Sequence, residues 1–141
     1  MNEKLHTEVL PETQKKVLDI LVDIDWINKF YLAGGTGLAL QIGHRESYDF
    51  DFFTEEKFDS SFVLSEIKKI GRVGLISRTE NILHCMLDDM EISFFKAPYS
   101  LINQPVEYHK LKIASTLDIF LMKMQAISGR GSKKDFIDLY F

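Results

Sequence analysis

The stretch that decides the fold is YLAGGTGLALQIGHRESYDFDFF, residues 31–53. Its apolar opening runs into two adjacent glycines, so it predicts a short strand that ends at the glycine pair. The next segment, TGLALQIG, predicts a short helix with Thr36 near its start and Gly43 beyond its end. The alternation of aromatic and acidic residues in YDFDFF predicts a second strand, with two aspartates on one of its faces.

Those two aspartates, Asp49 and Asp51, are the first candidate site residues. Successive side chains of a strand point to opposite faces, so both carboxylates share one face, about 7 Å apart along the strand. Carboxylates at that separation can hold the hard cations used in phosphoryl transfer, and Asp is otherwise disfavoured in strands. The alternative is an edge strand whose polar face is solvated. The spacing alone does not choose between these interpretations.

The glycine turn favours the first interpretation. Gly34 and Gly35 carry no Cβ, so a polyphosphate could approach their backbone, and Thr36 offers a hydroxyl at the same place. Backbone N–H groups at a helix N-terminus attract phosphate. Taken singly, the glycines could form a plain tight turn and Thr36 a plain helix cap. A phosphate-binding turn and a carboxylate pair on neighbouring elements together favour a nucleotide–metal site.

The remaining elements predict an α+β fold. Helices are predicted over residues 11–27, 60–71, 115–129 and from 132 onward, and strands over residues 72–80, 81–88 and 90–99. Together with the opening stretch, this order predicts a short mixed sheet with helices packed on it. The last helix would be cut by the end of the chain, as in a shortened member of a longer family.

Composition narrows the class of protein further. The 141 residues suit one domain with its own core, and the net charge of −4 provides no global basic field for nucleic acid. The single cysteine, Cys85, excludes an intramolecular disulfide framework and fits a reducing compartment. No apolar run is long enough to span a membrane, and the N-terminus lacks a signal-peptide core. These features predict a cytoplasmic protein with no membrane partner.

Gly-Gly-Thr, a short helix and Asp-x-Asp resemble the signature of the DNA polymerase β-type nucleotidyltransferase superfamily. The longer string is similar to one branch of it, the AbiEii/AbiGii toxin-type nucleotidyltransferases, in which His-Arg, a small hydroxyl residue and Asp-x-Asp-Phe follow the glycine turn. The matching residues are His44, Arg45, Ser47, Asp49, Asp51 and Phe52. The C-terminal segment resembles later motifs of this branch at Asp118, Lys123, Arg130, Lys134, Asp135 and Asp138.

The resemblance implies a polymerase β-like nucleotidyltransferase fold over a single domain, residues 1–141. Residues 1–113 would form the α/β core with the catalytic motif, and residues 114–141 would begin a helical C-terminal part. The implied activity moves a nucleoside monophosphate from an NTP to an RNA acceptor, such as a tRNA end, or to a protein. Mg²⁺ or Mn²⁺ is the implied cofactor. The branch also implies a toxin of a toxin–antitoxin or phage-defence system, with a cognate antitoxin as partner.

The resemblance also implies roles for single residues. Those implied for catalysis are Asp49, Asp51, Lys123 and Asp135. Those implied for nucleotide binding are Gly34, Gly35, Thr36, Arg45 and Lys134. Those implied for metal binding are Asp49, Asp51 and Glu91. Lys123 and Lys134 would offset phosphate charge, while Asp135 would position the acceptor or act as a base. Arg45 fits a phosphate contact and a structural ion pair equally well.

Superfamily members usually carry a third carboxylate on a strand next to Asp-x-Asp, and the segment MEISFF is the candidate strand here. Glu91 and Ser93 share one face of that strand by alternation. Alignment puts Ser93 at the acidic position, and Glu91 takes it only if the register slips by two. We expect Ser93 at the cleft, and hence weak activity or none. His84 lies in an alternating strand and is interpreted as structural.

Two rival functions stay open. A catalytically degenerate module of the same fold would bind nucleotide or a partner, and Mg²⁺-dependent NTP binding without turnover would identify it. A metal-independent structural protein would bind neither, and its aspartate face would only be solvated.

Overall fold

The computed structural model describes residues 5–97 and 100–129. Its helices are α1 Glu12–Leu21, α2 Gly34–Ile42, α3 Ser60–Lys68 and α4 Thr116–Gly129. Its strands are β1 Tyr31–Ala33, β2 Phe50–Thr54, β3 Val73–Arg78, β4 Ile82–Leu87, β5 Met90–Lys96, β6 Val106–Tyr108 and β7 Leu111–Ile113. Among the described residues, no helix has the length and apolar character needed to cross a membrane.

The seven strands form one mixed sheet in the order β3-β4-β5-β2-β1-β7-β6. Strand β2 runs parallel to β5 and antiparallel to β1, and β1 runs parallel to β7. The remaining neighbours, β3–β4, β4–β5 and β6–β7, are antiparallel. This architecture confirms the predicted α+β class. The central position of β2 excludes the alternative in which its aspartate lies on an edge strand.

Aromatic side chains of the central strands build the main core on one face of the sheet. Phe50, Phe52 and Phe94 are fully buried, and the rings of Phe52 and Phe94 stack with centroids 5.1 Å apart. Helices α1 and α3 contribute apolar residues such as Leu18 and Ile67 to this core. Alternation along β2 therefore sends Phe50 and Phe52 into the core and leaves Asp51 on the opposite face.

The opposite face of the sheet carries a smaller apolar cluster around β1. This cluster joins β1 to α2 and α4, and its buried members are Tyr31, Ala33, Leu38, Ala114 and Ile119. The Gln41 side-chain amide strengthens the same contact by donating to the Ala114 carbonyl at 2.8 Å. Helices α2 and α4 therefore lie beside the polar residues of the central strands.

The start of β2 differs from the prediction. The strand begins at Phe50, so Asp49 precedes it, in the segment that connects α2 to β2. Tyr48 also lies before the strand and is exposed, and its hydroxyl donates to the Glu46 carboxylate at 2.6 Å. The alternation therefore holds for Phe50 and Phe52 and fails for Tyr48, because Tyr48 lies outside the strand.

Two further differences concern local structure. The sequence pattern does not predict β6 and β7, because strands of three residues are too short to show alternation. The capping residue of α3 precedes the predicted range, since the Asp59 carboxylate caps the helix by accepting the Ser61 and Phe62 N–H groups. The helix predicted from residue 132 lies outside the described residues.

Candidate active site

The turn between β1 and α2 holds Gly34 in a left-handed conformation, with φ of +64°. A Cβ at this position would lie 2.7 Å from Asp51 Oδ2. Both the backbone conformation and the nearby carboxylate therefore exclude a side chain at residue 34. The predicted phosphate turn and one of the predicted cation ligands are adjacent.

The neighbouring glycine makes room for an arginine. A Cβ at Gly35 would lie 1.9 Å from Arg45 Nη2, so the guanidinium occupies the space that a side chain at residue 35 would take. Arg45 Nη1 also donates to the Glu46 carbonyl at 3.0 Å. The planar guanidinium can bind two phosphate oxygens at once, and its place at the turn suits that contact.

Thr36 is buried, and its side chain holds together the segments that form the site. Its hydroxyl donates to the Asp49 carbonyl, and its oxygen lies 2.5 Å from the Ser47 hydroxyl oxygen. These bonds fix the segment that leads into β2 against the start of α2. The residue before α2 is Ala33, whose side chain makes no cap, so the alternative of Thr36 as a plain helix cap is wrong. A phosphate contact by residue 36 would have to use its backbone N–H.

Asp51 has a strongly perturbed acidity. Burial, followed by the charge of Asp49, raises its pKa from 3.8 to about 6. Lys123 and His84 act in the opposite direction and lower the pKa, while Glu91 adds a further rise. The charged carboxylate is thus disfavoured by its surroundings, and a bound cation would relieve that penalty. Such perturbed acids are typical of functional sites, although structural networks also produce them.

Strand register decides which residue lies next to Asp51. In the parallel pair β2–β5, Asp51 lies opposite Ser93, and in the antiparallel pair β4–β5, Ser93 lies opposite His84. Opposite residues of paired strands point to the same face, so these three form a row across three strands. Ser93 is buried in this row, as the expected register requires, and Glu91 follows one pleat away on the same face.

His84 is the residue of this face that sequence reasoning missed. Its Nε2 lies 3.6 Å from Glu91 Oε2. The signal was present in ILHCML, because alternation puts His84 on the face opposite to the buried Leu83 and Cys85. Alternation does not predict that β4 pairs with β5. That pairing is what brings the face of β4 that carries His84 into the same row as Asp51.

Helix α4 brings Lys123 near the acids, as its effect on the pKa of Asp51 requires. Asp118, five residues earlier in the same helix, is buried and serves the fold. Its carboxylate accepts the Ile102 N–H at 2.9 Å, the Asn103 N–H at 3.1 Å and the Ser115 hydroxyl at 2.8 Å. It therefore ties the segment before β6 to the start of α4. Lys134 and Asp135 lie outside the described residues.

The donor set of this face suits a hard cation that also binds phosphate. Within residues 5–97 and 100–129, no three acidic, histidine or cysteine side chains stand close enough to hold an ion alone. Asp49 and Asp51 nevertheless provide carboxylate oxygens, which Mg²⁺ prefers, and Mg²⁺ commonly completes its shell with phosphate and water.

Comparison with known proteins gives a family match over the same region. The model described as "Nucleotidyl transferase AbiEii toxin, Type IV TA system" matches residues 16–93, which is 78 of the 141 residues. That range contains the glycine turn, the aspartate pair, β4 and the first four residues of β5. The protein "Uncharacterized protein aq_aa25" of Aquifex aeolicus (strain VF5) is 43% identical over 136 residues, 94% of this chain and 66% of that protein. This chain thus spans about two thirds of that relative.

Solved structures agree on the fold. A Helicobacter pylori protein, provisionally described as a nucleotidyltransferase, superposes with a TM-score of 0.67 at 18% identity, over 92% of this chain and 66% of that chain. The Megavirus polyadenylate synthase superposes with a TM-score of 0.63 at 14% identity, over 91% of this chain and 30% of that chain. These likenesses confirm the predicted polymerase β-like nucleotidyltransferase fold.

Proposed function

Because this chain belongs to the AbiEii nucleotidyltransferase toxin family, we propose that it transfers a nucleoside monophosphate from an NTP to an acceptor and releases pyrophosphate. The observation that carries this proposal is the contact between Asp51 and the glycine turn, where a Cβ at Gly34 would lie 2.7 Å from the carboxylate. The proposed cation ligand and the proposed phosphate-binding backbone are adjacent, which is the arrangement that nucleotide–metal chemistry needs.

The acids of the site would hold the cation. Asp49 and Asp51 are the proposed ligands of Mg²⁺ or Mn²⁺, and Glu91 is a third candidate on the same face. A bound cation would neutralise phosphate charge and orient the oxygens of the triphosphate. Support for this assignment comes from the perturbed pKa of Asp51, because a cation would stabilise its charged form.

The backbone of the glycine turn and two basic side chains near it would hold the triphosphate. The N–H groups of Gly34, Gly35 and residue 36 lie at the start of α2, where the helix dipole also favours negative charge. Arg45 lies over Gly35, and Lys123 acts on the same acids from α4. Electrostatic stabilisation of the transferring phosphoryl group would supply most of the rate acceleration.

The acceptor and the partner belong to the same proposal. We take a tRNA end or a protein as the acceptor and a cognate antitoxin as the partner, in a toxin–antitoxin or phage-defence system in the cytoplasm. Lys134 would offset phosphate charge, and Asp135 would position the acceptor or act as a base. The support is the family description, which names a nucleotidyltransferase toxin of a type IV toxin–antitoxin system.

A degenerate module of the same fold remains the second candidate function. The observation in its favour is Ser93, which lies opposite Asp51 where superfamily members usually carry an acid. A serine hydroxyl cannot replace the charge of a carboxylate, so nucleotide could bind with one cation while turnover is slow.

The test is a labelling experiment. The full chain would be incubated with each of the four NTPs labelled at the α-phosphate, together with Mg²⁺, total RNA and cell lysate. We expect weak labelling of one RNA or protein species, because Ser93 lies at the usual acidic position, and loss of that label in Asp51→Asn. The matched control is Asp89→Asn, which changes an exposed acid in the β4–β5 turn. Mg²⁺-dependent NTP binding without transfer would favour the degenerate module, and no NTP binding would refute both candidate functions.

A further inference from the structure

We propose that the outer face of α4 is a docking surface for a segment of this same chain, residues 132–141, which would pack against it as an antiparallel helix. The outer face of α4 comprises the exposed apolar residues of that helix and one neighbour, namely Leu117, Leu121, Met124 and Ile102. The inference is independent of the proposed function, because it uses neither the cation ligands nor the phosphate-binding turn.

Helix α4 carries apolar side chains on two opposite faces. Ile119 and Met122 point toward the sheet and pack in the small cluster with α2 and β1. Leu117, Leu121 and Met124 follow the other face, because they are spaced four and three residues apart. A helix that is apolar all round is normally covered on both sides. Since α2 and β1 cover only one side, the sequence of α4 predicts a second layer on its outer face.

The outer face of α4 is exposed over its whole length. Leu117, Leu121 and Met124 are 51%, 43% and 59% exposed. Ile102 extends this surface, since its N–H donates to the Asp118 carboxylate and it lines one cavity together with Leu121. Single exposed apolar residues are normal on protein surfaces. A contiguous group of them marks an interaction site instead.

The segment that follows α4 has a sequence pattern that suits this surface. Helix α4 ends at Gly129, and the next residues, Arg-Gly-Ser, are typical of a short turn between two helices. Ser132 and Asp135 have the spacing of a capping box at a helix N-terminus. Apolar residues then recur at helical spacing, at Phe136, Ile137, Tyr140 and Phe141.

The geometry of a helical hairpin determines which residues would meet. A turn at residues 130–131 would bring Ile137 opposite Met124 and Tyr140 opposite Leu121. The second helix would be about 14 Å long at 1.5 Å per residue, and the apolar residues of α4 extend over about 10 Å. The segment is therefore long enough to cover the outer face of α4.

The experiment measures disulfide formation within the full chain. Met124→Cys combined with Ile137→Cys should form an intramolecular disulfide under mild oxidation, because facing residues of packed helices come within disulfide reach. The matched control combines Ile137→Cys with Ile20→Cys. Ile20 is also an exposed apolar residue of a helix, but it lies on α1, which packs on the other face of the sheet. The control should form no intramolecular disulfide, and the buried Cys85 should not compete in either variant.

A second measurement uses the unmodified chain, so that the test does not depend on the folding of the cysteine variants. The isotope-labelled methyl group of Met124, assigned through Met124→Leu, should show a nuclear Overhauser effect to a tyrosine ring. That signal should disappear in Tyr140→Leu, because Tyr140 lies one turn from the residue opposite Met124 in the proposed hairpin.

Three results would overturn the inference. The first is the absence of that nuclear Overhauser effect in the unmodified chain, and the second is equal disulfide formation in the test pair and the control pair. The third is a Met124–Ile137 disulfide that forms only between two chains, detected by its mass under non-reducing conditions. That outcome would assign the outer face of α4 to a second copy of the chain.

Discussion

Two carboxylates near the starts of helices have opposite environments. Burial, the largest single effect at Asp118, raises its pKa, but the Ile102 N–H, the Ser115 hydroxyl and the Asn103 N–H together lower it below the ordinary value. At Asp51, beside the first residue of α2, burial and a neighbouring negative charge raise the pKa to about 6.

The difference shows what burial alone cannot decide. A carboxylate with donors directed at it is stabilised in its charged form and strengthens the fold. A carboxylate beside other acids is destabilised in that form until a cation arrives. Asp118 therefore serves as a structural link between the segment around Ile102 and α4, while the charged form of Asp51 is disfavoured by its surroundings.

The largest expected effect concerns the acids of the site. The double variant Asp49→Asn and Asp51→Asn should lower nucleotidyl transfer at least about 100-fold, because both proposed cation ligands are lost. Circular dichroism should show an unchanged fold. Asp89→Asn, an exposed acid in the β4–β5 turn, should keep full transfer. Wild-type transfer by the double variant would contradict the cation site.

The second effect concerns the structural acid. Asp118→Ala should lower the free energy of unfolding by about 2–4 kcal/mol near pH 7, because two backbone N–H groups lose a charged acceptor. Since the folded-state pKa of Asp118 is lowered, this stabilisation is present above about pH 4 and lost as the pH falls through the folded-state value. Urea unfolding at pH 7 and pH 3 would measure it. An equal loss at both pH values would contradict the assignment.

The third prediction is a variant that raises the free energy of unfolding instead of lowering it. Asp51→Asn should raise the free energy of unfolding without ligand by about 1–2 kcal/mol at pH 8. The folded chain binds the Asp51 proton more tightly than the unfolded chain, so wild-type stability falls as pH rises from 3.8 to about 6 and stays lower above it. Urea unfolding should show no difference between variant and wild type near pH 3.5. A destabilised variant at pH 8 would mean that Asp51 holds the fold together.

The smallest effect tests the serine in the row. Ser93→Asp should raise Mg²⁺ affinity about threefold to tenfold and increase transfer, because a carboxylate beside Asp51 adds a ligand and a charge. Isothermal titration calorimetry would measure the affinity. The control variant Ser93→Asn introduces a side chain of nearly the same shape as that of Ser93→Asp but without its charge. It should show no gain in Mg²⁺ affinity or in transfer. Equal behaviour of the two variants would mean that charge at residue 93 is irrelevant.

The local patterns of the sequence were sufficient for the main elements. The strand, glycine turn, helix and strand of residues 31–53 follow from short-range preferences, and the alternation of Phe50, Asp51 and Phe52 follows from the geometry of one strand. The same stretch carries the motif that identifies the family. These features depend on residues that are close together in the sequence, so sequence patterns can predict them.

Contacts between distant segments decided the rest. The donors that lower the pKa of Asp118 include the Ile102 N–H, 16 residues earlier in the chain, and no spacing rule predicts their approach. The row of Asp51, Ser93 and His84 depends on how three strands slide past one another, and a slip of one residue would turn every side chain of a strand to the other face. The sequence by itself determined that Asp51 lies on the face of β2 opposite to Phe50 and Phe52, and only the tertiary structure decided where the strand begins and which residues surround this acid.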